Sequence, residues 1–189
     1  MVRSRFLSPE GATVNSQGRE PLEPEPPTSS SQLRRSDRAI PQSFVSLHVH
    51  VVFSTKNRIP MIDEELQPRL FEYVGGILRG CDSALIAAGG MPDHVHLLCS
   101  LGKRSSISDV VRTVKSNSSK WIHETFERRR QFAWQSGYGA FAVSFSNIEE
   151  VRRYLANQAE HHARRSFKDE LPALLERHNI EYDERYLWD

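Results

Sequence analysis

Residues 83–101 read SALIAAGGMPDHVHLLCSL. An apolar run ends at Gly89-Gly90, and a second apolar run begins at Met91. Both have strand length, and so short a link predicts a β-hairpin. Working outward, FVSLHVHVVFST (44–55) is rich in β-branched and aromatic residues and predicts a strand. Between it and the hairpin, 61–81 places Leu66, Leu70, Phe71, Val74, Ile77 and Leu78 at helical spacing, with Pro68 tolerable only near the first turn. After the hairpin, 105–129 carries an apolar stripe from Ile107 to Phe126, a second long helix open to interruption at Ser116-Asn117-Ser118-Ser119. GAFAVSFS (139–146) predicts a fourth strand. Ser146 and Glu149 have capping-box spacing, so a third helix should start there and run through EEVRRYLANQAEHHARRSF (149–167). The final residues, from Leu171, leave room for one short helix and a tail. The order β-α-β-β-α-β-α predicts an α+β fold of ferredoxin-like type: an antiparallel sheet with helices on one face, plus a C-terminal helix.

The domain should span 44–189. Residues 1–43 hold six of the ten prolines and eight serines, with no periodic apolar pattern. Such a stretch cannot bury enough apolar surface to offset chain entropy and is expected to be a disordered extension. With two cysteines, Cys81 and Cys99, no disulfide framework organises the chain, and a reducing cytosolic setting is the simpler expectation. No run of about 18 apolar residues predicts a membrane span. MVRSRFLSPEG lacks the apolar core of a secretory signal.

The net charge of +1 argues against a strongly basic, histone-like binder, but the total conceals segregation. Residues 103–130 carry eight basic against three acidic side chains, and 169–189 carry seven acidic against two basic. Basic residues beside Trp121 and Trp134 suit phosphate contact and stacking of single-stranded bases. A solvated helix face with its tryptophans in the core explains the same pattern, and for Trp121 on the apolar stripe it explains it better.

His94 and His96 leave the same face of a strand and can chelate one divalent metal. An isolated His-x-His is more readily a packing pair, and His48-Val49-His50 is a second instance. The 94–96 pair follows Pro92-Asp93 at a strand's entry, whereas 48–50 sits inside an apolar run. Tyr154 and Gln158, four apart, share a helix face that His161 and His162 continue. A phenol can act as a nucleophile once its proton is removed, and an amide oxygen can ligate a hard cation. Alone, this face reads more readily as a partly buried helix surface.

Taken in order, GGMPDHVHLL, SSISDVVRTVKSNSSKWI, WQSGYGAFAVS and YLANQAEHH resemble the single-tyrosine HUH transposases of small bacterial insertion sequences. The resemblance runs from about Leu47 to Trp188. It implies that His94 and His96 bind the catalytic divalent ion, Mg2+ or Mn2+, with Gln158 completing the site and Tyr154 as nucleophile. It implies cleavage and rejoining of single-stranded DNA at hairpin-bearing element ends through a 5′-phosphotyrosine, by a homodimer acting on the nucleoid in the bacterial cytoplasm. It gives His48 and His50 a first-strand position outside the HUH strand. Asn157-Gln158 departs from the Asn-Pro typical of the subgroup tied to repeated palindromic elements. The basic segment becomes the hairpin contact, with Arg104, Arg112, Lys115 and Lys120 as candidate DNA-binding residues. A domesticated hairpin-DNA-binding protein without transposition activity is the alternative. An unrelated metallohydrolase is a third reading.

Overall fold

The computed structural model describes residues 44–162 and 166–188. The expected extension over 1–43 lies outside the described residues. β1 (Leu47–Ser54), α1 (Leu66–Gly80), β2 (Ala84–Met91), β3 (His94–Leu101), α2 (Ile107–Thr125) and β4 (Gly139–Val143) follow the expected order. Then come α3 (Ile148–Ala156), α4 (Gln158–His162) and α5 (Phe167–Arg177). The strands form one antiparallel sheet in the order β2-β3-β1-β4, the ferredoxin-like arrangement. The hairpin turns tightly, with Met91 opposite His94 across Pro92-Asp93.

Strand alternation divides the two central strands between two cores. Val51 and Phe53 of β1 and Val95, Leu97 and Cys99 of β3 face α1 and α2. Leu66, Leu70, Val74 and Leu78 form the buried stripe of α1, and Val110, Val111, Val114 and Ile122 that of α2. The Asp63 carboxylate accepts the Leu66 N–H at 2.9 Å and caps α1, which leaves Pro68 in the first turn, where its missing N–H costs nothing. Helix α2 runs unbroken through the Ser-Asn-Ser-Ser stretch. Ser118 is buried there: its hydroxyl donates to the Val114 carbonyl at 2.6 Å and accepts from Trp134 Nε1 at 2.9 Å.

The other face of the sheet is covered by the C-terminal segment, where Val52 and Phe141 pack with Phe167, Leu171 and Leu175 of α5. The C-terminal region departs from the sequence expectation in three ways. The Ser146 hydroxyl pairs with Ser144 and Asn147 instead of closing a capping box, because a 3-10 turn at Phe145–Asn147 delays the helix to Ile148. The single predicted helix is two, since α3 ends at Asn157, whose N–H turns back to the Arg153 and Tyr154 carbonyls. The last helix begins at Phe167, four residues before the expected segment.

Candidate active site

The strand register that builds the sheet also builds the site. On β3, His94 and His96 point away from the α1/α2 layer, opposite Ser54 and Val52 of β1. Both are closed off by the C-terminal segment, with 1% and 0% exposure, so they lie beneath α5 and not at an open rim. Phe167 stacks on His94, with ring centroids 4.1 Å apart and planes 15° from parallel.

Each imidazole is oriented from behind. His94 Nδ1 lies 2.7 Å from Asp93 Oδ1. Burial works to raise the Asp93 carboxyl, but the hydrogen bond and charge of His94 prevail and hold it below its ordinary value. His96 Nδ1 lies 3.0 Å from His50 Nε2. Burial, helped by His96 and His178, drives His50 down to about 3, so it is a neutral partner. If His96 donates its Nδ1–H to His50, the His96 lone pair is on Nε2, the arrangement a metal ligand needs. His50, given no role by the sequence, is thus a second-strand support for His96. Its signal was the alternation that places it on the same face, one register step along.

Tyr154 approaches the same histidines within one chain. Its half-buried ring stands edge-on to His96 at 5.8 Å and to His50 at 6.0 Å. A cavity of about 440 Å³ opens beside them, bounded by β4, α3 and α5, with His50, Tyr154, Glu170 and His178 in its wall. Gln158 is 2% exposed, and among the described residues neither its amide nitrogen nor its amide oxygen has a hydrogen-bond partner. Its position is set by Gly89, the residue opposite His96 on β2. A Cβ there would stand 2.2 Å from the Leu155 carbonyl oxygen and 3.2 Å from Gln158 Cγ, so only glycine lets the α3–α4 junction lie this close to the sheet.

Two further groups reach the histidines. His162 Nε2 lies 3.0 Å from His94 Nε2, and Glu170 Oε2 lies 3.1 Å from His162 Nε2 and 3.5 Å from His96 Nε2. Burial pushes the Glu170 carboxyl up to about 7, against the pull of His94. In the sequence, His162 shares the Tyr154 face without a role, and Glu170 belongs to an acidic tail. The side chain of His161 lies outside the described residues.

The donor chemistry fits a divalent ion. Imidazole nitrogens of His94, His96 and His162 and a Glu170 oxygen all lie within 4.8 Å of one another, and the unpartnered Gln158 amide is buried nearby over Gly89.

The basic candidates are spread over other environments. Arg104 is exposed, Arg112 pairs with Asp109 at 2.6 Å, and Lys120 faces Glu124 at 3.9 Å. Lys115 instead donates to the carbonyls of Gln135, Ser136 and Gly137 at 3.1, 3.3 and 2.5 Å, and burial brings its ammonium down to about 8. Trp134 packs edge-on against Phe53 and Phe132, and Trp121 stacks on Tyr73 at 4.5 Å.

Comparison with known proteins gives the family. Residues 43–158 match the family described as Transposase IS200 like, and the chain belongs to that family of transposase enzymes. The ISDra2 transposase TnpA of Deinococcus radiodurans is 24% identical over 117 residues, 59% of this chain and 84% of that protein. A crystal structure of a transposase candidate from Deinococcus radiodurans R1 superposes with a TM-score of 0.52 at 25% identity, covering 62% of this chain and 94% of that one. A REP-associated tyrosine transposase bound to a REP hairpin gives a TM-score of 0.47 at 13% identity, over 67% of this chain and 73% of that one. Among the described residues, no helix is long and apolar enough to cross a membrane.

Proposed function

We propose that this transposase cleaves and rejoins single-stranded DNA at hairpin-bearing element ends, with Tyr154 as the nucleophile. The observation that carries this reading is the edge-on approach of the Tyr154 ring to His96 in one chain, 5.8 Å between centroids. The Tyr154 phenol loses its proton as its oxygen bonds the scissile phosphorus. The 3′ oxygen leaves and gains a proton, so the strand ends as a 5′-phosphotyrosine and a free 3′-hydroxyl. The covalent link conserves the phosphodiester for rejoining. His94, His96 and Gln158 would hold a divalent ion, Mg2+ or Mn2+. When bound, the ion supplies Lewis-acid polarisation of the phosphate. Asp93 and His50 keep the two imidazoles turned toward that ion.

Arg104, Arg112 and Lys120 are exposed and suited to phosphate contact. Lys115, which the resemblance groups with them, is engaged by loop carbonyls. The chain acts as a homodimer in this reading, which draws on β4 as an edge strand and on the exposed Phe145 and Leu47 at that end of the sheet.

The test is incubation of the full chain with labelled single-stranded hairpin DNA and Mg2+ or Mn2+. A denaturation-resistant adduct that vanishes in Tyr154→Phe is expected. Adduct formation by Tyr154→Phe would remove the nucleophile assignment. A hairpin-binding protein without chemistry is the second reading, favoured by the burial of His94 and His96 beneath α5. It predicts hairpin binding with no adduct in any metal.

A further inference from the structure

We propose that His162 and Glu170 join His94 and His96 as ligands of one divalent ion, making a three-imidazole, one-carboxylate site that assembles without DNA and prefers Zn2+ or Co2+ to Mg2+. The inference rests on the reading above for an ion at His94 and His96, and in the chain without DNA it puts His162 and Glu170 in the place given there to Gln158. It adds two ligands from beyond residue 158, where the family match ends.

The distances have the right scale. With bonds of about 2.0–2.2 Å, the ligand atoms of a tetrahedral ion stand roughly 3.3–3.6 Å apart. Four of the six ligand-atom pairs, His94–His162, His162–Glu170, His96–Glu170 and His94–Glu170, are 3.0, 3.1, 3.5 and 3.8 Å, near that edge, and all six lie within 4.8 Å. All four side chains are at most 6% exposed, so water does little to stabilise their charge. A divalent ion among them would offset the cost of burying the carboxylate, as an imidazolium also can.

The scaffold orients three of the four. Asp93 and His50 back the two strand histidines, the outer-shell pattern of metal-bound imidazole. Glu170 is carried by α5, which Phe167, Leu171 and Leu175 anchor in the second core. Metal choice follows from the donors. Imidazole-rich sets suit Zn2+ and its neighbours, whereas Mg2+ seeks oxygen and water.

The test uses the full chain, stripped of metal and then titrated. Zn2+ and Mg2+ binding are measured by calorimetry, and Co2+ by visible absorption, which is intense for four-coordinate and weak for six-coordinate sites. Wild type is expected to bind Zn2+ far more tightly than Mg2+ and to give intense Co2+ bands. Glu170→Gln and His162→Ala should each weaken Zn2+ by more than about tenfold, the lower bound typical of losing even an outer-shell partner, and reduce the Co2+ intensity. Lys168→Ala, exposed on the same helix, should change neither. X-ray absorption of the Zn2+-loaded wild type needs no variant and should count three imidazoles. Two imidazoles, or Zn2+ affinity unchanged in both Glu170→Gln and His162→Ala, would overturn the proposal. The two readings fail separately. Absence of a Tyr154 adduct with the expected Zn2+ and Co2+ behaviour sinks only the proposed function. A Tyr154-dependent adduct with only two imidazoles on the ion sinks only this one.

Discussion

Replacing Gly89 by alanine tests how the sheet positions the tyrosine. The new Cβ would lie 2.2 Å from the Leu155 carbonyl oxygen and 2.9 Å from its carbon. A carbon–oxygen contact needs about 3.3 Å, so the end of α3 must retreat by about 1 Å. The obstacle is backbone, and β2 is hydrogen-bonded to β3 along its length, so neither side yields cheaply. Overpacking of this kind costs about 1–3 kcal/mol. For a domain of this size, that lowers the melting temperature by roughly 3–10 °C. Leu155 lies between Tyr154 and Gln158, so the same retreat moves both away from His96. A misplacement of about 1 Å can cost on the order of a hundredfold in rate. The assay pairs thermal melting with the rate of adduct formation on single-stranded hairpin DNA, measured well below the variant's midpoint. Gly76→Ala in α1 is the control, because its Cβ would meet only an Arg79 nitrogen at 3.8 Å. That variant should hold or gain about 0.5–1 kcal/mol. A Gly89→Ala protein that melts with wild type refutes the packing argument. One that melts low but forms adduct at the wild-type rate refutes the link from packing to Tyr154.

Lys115→Met removes the ammonium that donates to three loop carbonyls and should cost about 1–3 kcal/mol of stability. Its salt dependence of DNA binding should match wild type; a slope smaller by about 1 would instead mark a phosphate contact. Asp63 is held below its ordinary 3.8 by its hydrogen bond to Arg129 and by the Leu66 N–H. A depressed carboxyl contributes stability above its unfolded value and loses it as pH falls through the folded one. Asp63→Ala should therefore be about 1 kcal/mol less stable at pH 7, with the gap narrowing below 3.8 in urea titrations; a constant gap would refute this. Zn2+ at about a hundred times its dissociation constant should stabilise the chain by ~2.7 kcal/mol. His94→Ala should abolish that gain, and a gain retained in the variant would put the ion elsewhere.

Sequence periodicity is a local property, and what it encodes is legible in the amino-acid order alone. The hairpin at 83–101, the stripes of α1 and α2, the βαββαβ order and the outward pairing of His94 with His96 depend on residues within one element. Departures fall where neighbouring signals compete. The capping box at Ser146 yields to a 3-10 turn, and a stretch that could continue as one helix stops at Asn157. The resemblance carries the functional reading further than spacing could, naming Tyr154 and Gln158 together. The decisive neighbours of the site are out of its reach. His50 meets His96 across 46 residues, and His162 meets His94 across 68. Glu170 is one member of an acidic tail until α5 folds it under the sheet. Lys115 is one of a basic run until the loop at 135–137 closes over it. Such contacts arise from strand register and helix docking, which sum many weak burial terms over the whole chain. No short window holds that information, so the tertiary structure alone determines which charged and titratable groups share a buried space.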